Sequence, residues 1–246
     1  MSAIEQTVLS SITREIAALP GQVGFYYKNL ATGHTAGYRA EEAFLAASVI
    51  KFPLYLHVLT LAHLGNLSMS DKLTTLEEDK VPSCGALTLF SGEVTCDIAT
   101  LCRLMIAISD NTATNRLIRH LGIEEINRGF AEMGLTKTVL RRKLFDTAAS
   151  AQGIQNTICP REMGDLLESL YRGTFLSPAL SQEAINTLLF SRSATSWTES
   201  SASVIPSPTK PARTTVSPTT WVSSLHPLPS FSVLPVTTPM FTVSRT

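Results

Sequence analysis

The sequence predicts one mixed α/β domain, followed by a tail of different chemical character. Three observations carry this. At 246 residues the chain is long enough for one domain with a large core. Strand-like segments near 22–29 and 35–39 flank Ala31-Thr32-Gly33, the signature of a hairpin. Between residues 48 and 190, apolar stripes of helical period recur and are punctuated by Gly65, Gly122, Gly134 and Gly173.

The elements follow in order. The N-terminal segment spaces its apolar residues helically and sets charges among them, which predicts an amphipathic helix over 3–18 rather than a secretory signal. A cytoplasmic location is therefore expected for the chain as written. After the hairpin, residues 48–63 are apolar almost all round and read as a buried helix ending at Gly65-Asn66. Thr95 reads as the N-cap of a helix whose core stripe is Ile98, Leu101, Cys102, Met105 and Ile106. Helices are expected at 112–121 and 123–133. Pro160 opens another over 160–172, and Ser181 reads as the cap of the last, over 182–190. No internal repeat is evident.

The chemistry lies in two short motifs. Ser48 and Lys51 stand three apart within an apolar run, so on a helix they share a face one turn apart. A serine hydroxyl needs a base within hydrogen-bond reach, and lysine serves when burial lowers its pKa. Pro53 is tolerable because it falls near the helix start. Ser109-Asp110-Asn111 follows 61 positions after Ser48. A Ser and Lys three apart arise by chance roughly once in a chain of this length, and polar residues like these can simply cap a helix. Occurring together, in this order, they match two of the three motifs of class A β-lactamases and penicillin-binding proteins.

The chain resembles that family from about residue 20 to 190. Phe44-Leu45-Ala46-Ala47-Ser48 is similar to the approach to its nucleophile. Gly85-Ala86-Leu87 and Thr95-Cys96-Asp97-Ile98 are similar to its lead into the second motif, and Asn156-Thr157-Ile158-Cys159-Pro160 to its entry to a later helix. The resemblance implies an α+β fold, with an antiparallel sheet flanked by helices and an all-helical subdomain. It implies Ser48 as nucleophile, Lys51 as its base, Ser109 as proton relay to the leaving nitrogen, and Asn111 touching substrate and Lys51. Asp110 would brace the loop. The implied substrate is a small molecule, a β-lactam or a related amide or ester, and no metal or organic cofactor is called for.

Two departures qualify the resemblance. Class A β-lactamases carry a glutamate, on a loop after the second motif, that activates the deacylating water. Here that stretch reads Leu140-Arg141-Arg142-Lys143-Leu144-Phe145-Asp146-Thr147, with Lys143 or Leu144 at the expected position and Asp146 as the nearest acid. Acylation is expected to survive and deacylation to be slow. The alternative is therefore a penicillin-binding or non-catalytic protein that takes up ligand without efficient turnover. The third motif, Lys-Thr-Gly, is absent, which implies impaired activity in this copy.

The place of that motif falls in residues 191–246, where 32 of 56 residues are Ser, Thr or Pro and no glycine occurs. Eight prolines there disfavour both sheet and helix interiors. The domain is therefore drawn as 1–190, with an atypical tail at 191–246 and the C-terminal strands of the sheet missing. One reading is a disordered linker. The other is a shifted reading frame. Codons for Thr209-Lys210-Pro211-Ala212, read two bases later, permit Lys-Thr-Gly, and Trp221-Val222 then forces a glycine.

Composition excludes several classes. Net charge is zero and pI about 7.0, so neither nucleic acid nor an anionic membrane surface is implied as partner. Arg141-Arg142-Lys143 is the one basic run, read as a solvated face or a loop anchor. No stretch is long enough for a membrane span. Cys84, Cys96, Cys102 and Cys159 form no Cys-x-x-Cys pair, and the five histidines do not cluster. Oligomeric state is not legible.

Overall fold

A turn built from Asn29 and Gly33 starts the sheet. Strand β1 (Gln22–Lys28) pairs antiparallel with β2 (Thr35–Tyr38), Phe25 opposite Tyr38. Between them Asn29 Oδ1 accepts from Ala31 N and Thr32 N, each at 3.0 Å, and Gly33 takes φ 74°. Glycine adopts that left-handed conformation at little cost, so the hairpin closes where the sequence places it. The structure, a computed structural model, describes residues 3–19, 21–82, 84–190, 219–220 and 240–244.

Both faces of β1 are covered. Val23 and Phe25 point to one side and pack with Ile16 of helix α1 (Ala3–Ala17). On the other side Gly24 faces the Phe44 ring, and the Tyr26 ring lies against Gly164. A Cβ at either glycine would overlap the ring, so both positions need a residue without one.

The sheet is larger than expected. Its order is β2-β1-β8-β7, with β7 (Thr219–Thr220) and β8 (Met240–Ser244) drawn from the tail. β8 runs antiparallel to β1, Val23 opposite Val243. The expectation that the tail supplies no strands is corrected at these seven residues. Val and Phe within 240–244 suit a pleated strand, and Pro239 falls just before it, where a missing donor does least harm. The rest of the tail, including Thr209–Ala212, lies outside the described residues.

Chain direction then turns into the helical part. Strand β3 (Phe44–Leu45) pairs with β6 (Thr157–Ile158), and a 3₁₀ turn over Ala47–Ile50 leads straight into α2 (Lys51–His63). Pro53 sits in the first turn of α2, as the sequence requires. Every residue of α2 from Lys51 to Leu59 is buried, because neighbours surround it on all sides. Strands β4 (Lys72–Thr75) and β5 (Val94–Asp97) form a separate antiparallel pair. Helices α3 (Ile98–Ala107), α4 (Asn111–Leu121) and α5 (Ile123–Glu132) follow, then the short α6 (Thr147–Ala151), α7 (Pro160–Tyr171) and α8 (Pro178–Leu189). The main core gathers α2 with Leu101, Met105, Leu117, Phe130, Met163 and Ala184.

Two caps differ from expectation. Asp97, not Thr95, caps α3 by accepting from Thr100 N at 2.7 Å, while Thr95 lies in β5. Ser177, not Ser181, caps the last helix, which starts four residues earlier at Pro178. Ser181 is buried and donates to Phe175 O at 2.9 Å. Pro at the first helical position makes the earlier start favourable. His57 is a packing residue: it is 2 % exposed, and Gly129 of α5 leaves room for its ring. Burial lowers its pKa, against the pull of Glu125. Among the described residues no helix is long and apolar enough to cross a membrane, and no group of three His, Cys, Asp or Glu is placed to hold a metal ion.

Candidate active site

Backbone strain marks the site before any side chain is considered. Ala47, immediately ahead of Ser48, has φ 41°, and Ser109 has φ 57°. Both lie in the left-handed region that residues with a Cβ seldom adopt. The first turns the chain from β3 into the 3₁₀ turn and leaves Ser48 half-buried at its edge. The second ends α3 and swings the Ser109 side chain across to α2.

Three of the side chains singled out from sequence, Ser48, Ser109 and Asn111, converge on the fourth, Lys51. Its Nζ donates to Asn111 Oδ1 at 2.7 Å, to Ser109 O at 2.8 Å and to Ser109 Oγ at 2.8 Å, and stands 3.4 Å from Ser48 Oγ. Ser109 Oγ in turn donates to Ser48 Oγ at 3.0 Å. The three hydrogens of a charged ammonium are accounted for by the three short contacts. Loss of one proton leaves a lone pair, which the Ser48 hydroxyl can then address. Lys51 is 2 % exposed. Burial pushes its pKa down to about 8, while Cys84 and Asp110 pull the other way. With that value about a tenth of the amine is neutral at pH 7, far more than for an ordinary lysine, and the fraction grows as pH rises through about 8.

Asp110 braces the site. It is fully buried, and its carboxylate accepts from Ala86 N at 2.7 Å, Leu87 N at 3.0 Å and Ala113 N at 2.9 Å. The last bond makes it the N-cap of α4. Gly85 has φ 142°, and a Cβ there would fall on the Asp110 carboxylate. The glycine thus allows the 84–87 strap to lie directly on the second motif, where Asn111 N also donates to Cys84 O at 3.1 Å.

The 140–156 loop is held by neutral amides. Asn115, one turn beyond Asn111 on α4, donates to Leu144 O at 2.9 Å and accepts from Leu144 N at 2.8 Å. Asn156 is 5 % exposed; it accepts from Arg141 N and Arg142 N and donates to Arg142 O. Its own carbonyl accepts from Ala46 N at 2.9 Å, which ties the loop end to the approach to Ser48. Arg141 and Arg142 are loop anchors, bonded to the carbonyls of Gln155 and Ile154. Asp146 accepts from Ala149 N at 3.0 Å as the N-cap of α6. Among the described residues it shares no hydrogen bond with Ser48, Lys51 or Ser109, so the structure leaves it outside the cluster. Sequence reading missed Asn115. The available signal was its i+4 spacing from Asn111, which places both amides on one helix face.

The model of a β-lactamase enzyme family matches residues 7–203. The chain belongs to that family. A β-lactamase of Rhodobacter capsulatus is 32 % identical over 186 residues, which cover 72 % of this chain and 62 % of that relative. The chain thus spans less than two thirds of that family member's length. Among solved structures, PBP-A superposes with TM-score 0.69 at 29 % identity, over 76 % of this chain and 69 % of PBP-A. A leucine-to-glutamate mutant of PBP-A, captured as an acyl-enzyme with penicillin G, superposes with TM-score 0.68 at 28 % identity over 76 % and 70 % of the two chains.

Proposed function

We propose that this chain forms a covalent acyl-enzyme through Ser48 with a β-lactam or a related amide or ester. One observation carries the reading: Lys51, buried and depressed toward neutrality, lies among Ser48, Ser109 and Asn111. In this reading neutral Lys51 takes the Ser48 proton as the oxygen attacks the carbonyl. The bond to the leaving nitrogen breaks, and Ser109, hydrogen-bonded to both Lys51 and Ser48, passes a proton to that nitrogen. Asn111 orients Lys51 and the substrate amide. In this reading a backbone N–H at the start of the 3₁₀ turn that carries Ser48 stabilises the developing oxyanion. The test is incubation with a fluorescent penicillin. A covalent adduct is expected on the full chain and not on Ser48→Ala; no adduct on the folded wild-type chain overturns the reading.

Turnover is expected to be slow, and the 140–156 loop favours this second, penicillin-binding form of the proposal. Leu144 is fixed by both its backbone groups to the helix face that bears Asn111, and the nearest acid, Asp146, caps α6. A PBP-A variant with leucine replaced by glutamate has been captured with penicillin G attached, which supports a leucine-bearing relative as the fitting comparison. Residues 191–246 are read as a shifted frame, because the alternative frame permits Lys-Thr-Gly at 209–212. Sequencing the gene across codon 191, with mass spectrometry of tail peptides, decides it: an unbroken frame yielding these peptides overturns the shift.

A further inference from the structure

The strap that overlies the second motif belongs to a longer loop, 80–92, whose neck is closed by one ammonium. Lys80 Nζ donates to Gly92 O at 2.8 Å, to Phe90 O and to Glu77 Oε2 at 2.6 Å. Its side chain is only 7 % exposed, although the loop lies at the surface. All three of its hydrogens are engaged, two of them on carbonyls twelve and ten residues away. Next to Lys80, Arg119 Nη1 of α4 donates to both carboxylate oxygens of Asp79, at 2.6 and 2.7 Å, and Val81 N donates to Thr112 Oγ1 at 3.1 Å.

From the neck the loop runs onto the catalytic cluster. Cys84 O receives Asn111 N, and Ala86 N and Leu87 N bond to Asp110. Asn111 and Ser109 flank Asp110 and supply the three shortest contacts of Lys51. Leu87 is buried in the main core, but Leu89 is 82 % and Phe90 56 % exposed, so little apolar burial fixes the outer half of the loop. A charge-assisted clamp at the neck then sets where the inner half lies.

We infer that Lys80 is a positioning residue for acylation: it closes the 80–92 loop so that residues 84–87 hold Ser109 and Asn111 on Lys51. The inference rests on the acylation reading above. It is tested on the full chain by the second-order rate of fluorescent-penicillin labelling of wild type, Lys80→Met and Lys80→Arg. Each is measured across pH and well below its own unfolding temperature. Displacement of catalytic groups by a fraction of an ångström to an ångström costs about ten- to a hundredfold in rate. Lys80→Met is expected to slow labelling by at least about tenfold and to move the pH midpoint of labelling away from the wild-type value. Lys80→Arg, which restores the charge and several donors, is expected to recover most of both. A purely stabilising role would lower the unfolding temperature and leave rate and midpoint unchanged; that result overturns the inference. Should Lys80→Met fail to fold, Lys80→Gln takes its place, and a wild-type rate there overturns the inference equally. Failure of the underlying reading is recognised separately, as absence of label on wild type.

Discussion

Two loops approach Ser48, and they are built from opposite chemistry. The segment 109–115 brings a strained serine and an amide onto a buried lysine, and its buried carboxylate grips the 84–87 strap. The segment 140–156 brings two amide clamps, two arginine anchors and a leucine. The first supplies the three shortest contacts of the Lys51 amine on α2. The second holds no acid bonded to that cluster among the described residues. In the proposed reading, bond-making and hydrolytic release fall to separate pieces of chain.

The comparison breaks most sharply at Ser48. Ser48→Ala is expected to lower penicillin labelling by about 10⁴-fold or more, with the fold retained by circular dichroism. Lys51→Met comes next, with a loss of about 10²–10⁴-fold in labelling rate. In the wild type the rate is expected to rise with pH through about 8, because the acting form is the neutral amine. The same depression has a linked effect on stability. The Lys51 pKa is lower folded than unfolded, so the unfolded chain binds more protons between about 8 and the ordinary value of 10.5, and stability rises with pH across that window. Urea titrations at pH 7 and pH 10 check the sign; equal or lower stability at pH 10, other groups considered through Lys51→Met, contradicts it.

The other segment is sharpened by adding what it lacks. Leu144→Glu is expected to speed release of the penicilloyl label about ten- to a hundredfold while leaving labelling within about threefold, measured by chase after rapid mixing. The smallest effect is structural. Asn156→Ala strips two backbone N–H groups of Arg141 and Arg142 of their acceptor. It is expected to cost about 2 kcal/mol and roughly 5 °C in Tm, read by calorimetry. An unchanged Tm would mean that the arginine side chains alone hold the loop.

Much of the helical part was legible. The apolar run from Ser48 to His63 and the stripe of α3 are local patterns, and glycines at 65, 122 and 134 mark real stops, each with positive φ. Caps were less legible, since Thr95 and Ser181 have the right chemistry but lie inside a strand and inside the first turn of a helix. Strands of two to four residues, such as β3, β4 and β6, escape notice because their pairing is long-range and their alternation too brief to register.

By itself the sequence determined which chemistry is on offer: a serine and a lysine one turn apart in an apolar helix, a Ser-Asp-Asn turn after an amphipathic one, and no glutamate where release would need it. Tertiary structure alone decided that these groups meet. Lys51 and Ser109 are 58 positions apart, and no local rule closes the 2.8 Å contact between them. It is made by α3 packing on α2, by Asp110 gripping the strap, and by the exclusion of water that pulls the amine toward neutrality. Spacing along a chain can place two residues on one helix face; only packing can place a third from elsewhere against them and dry the space between.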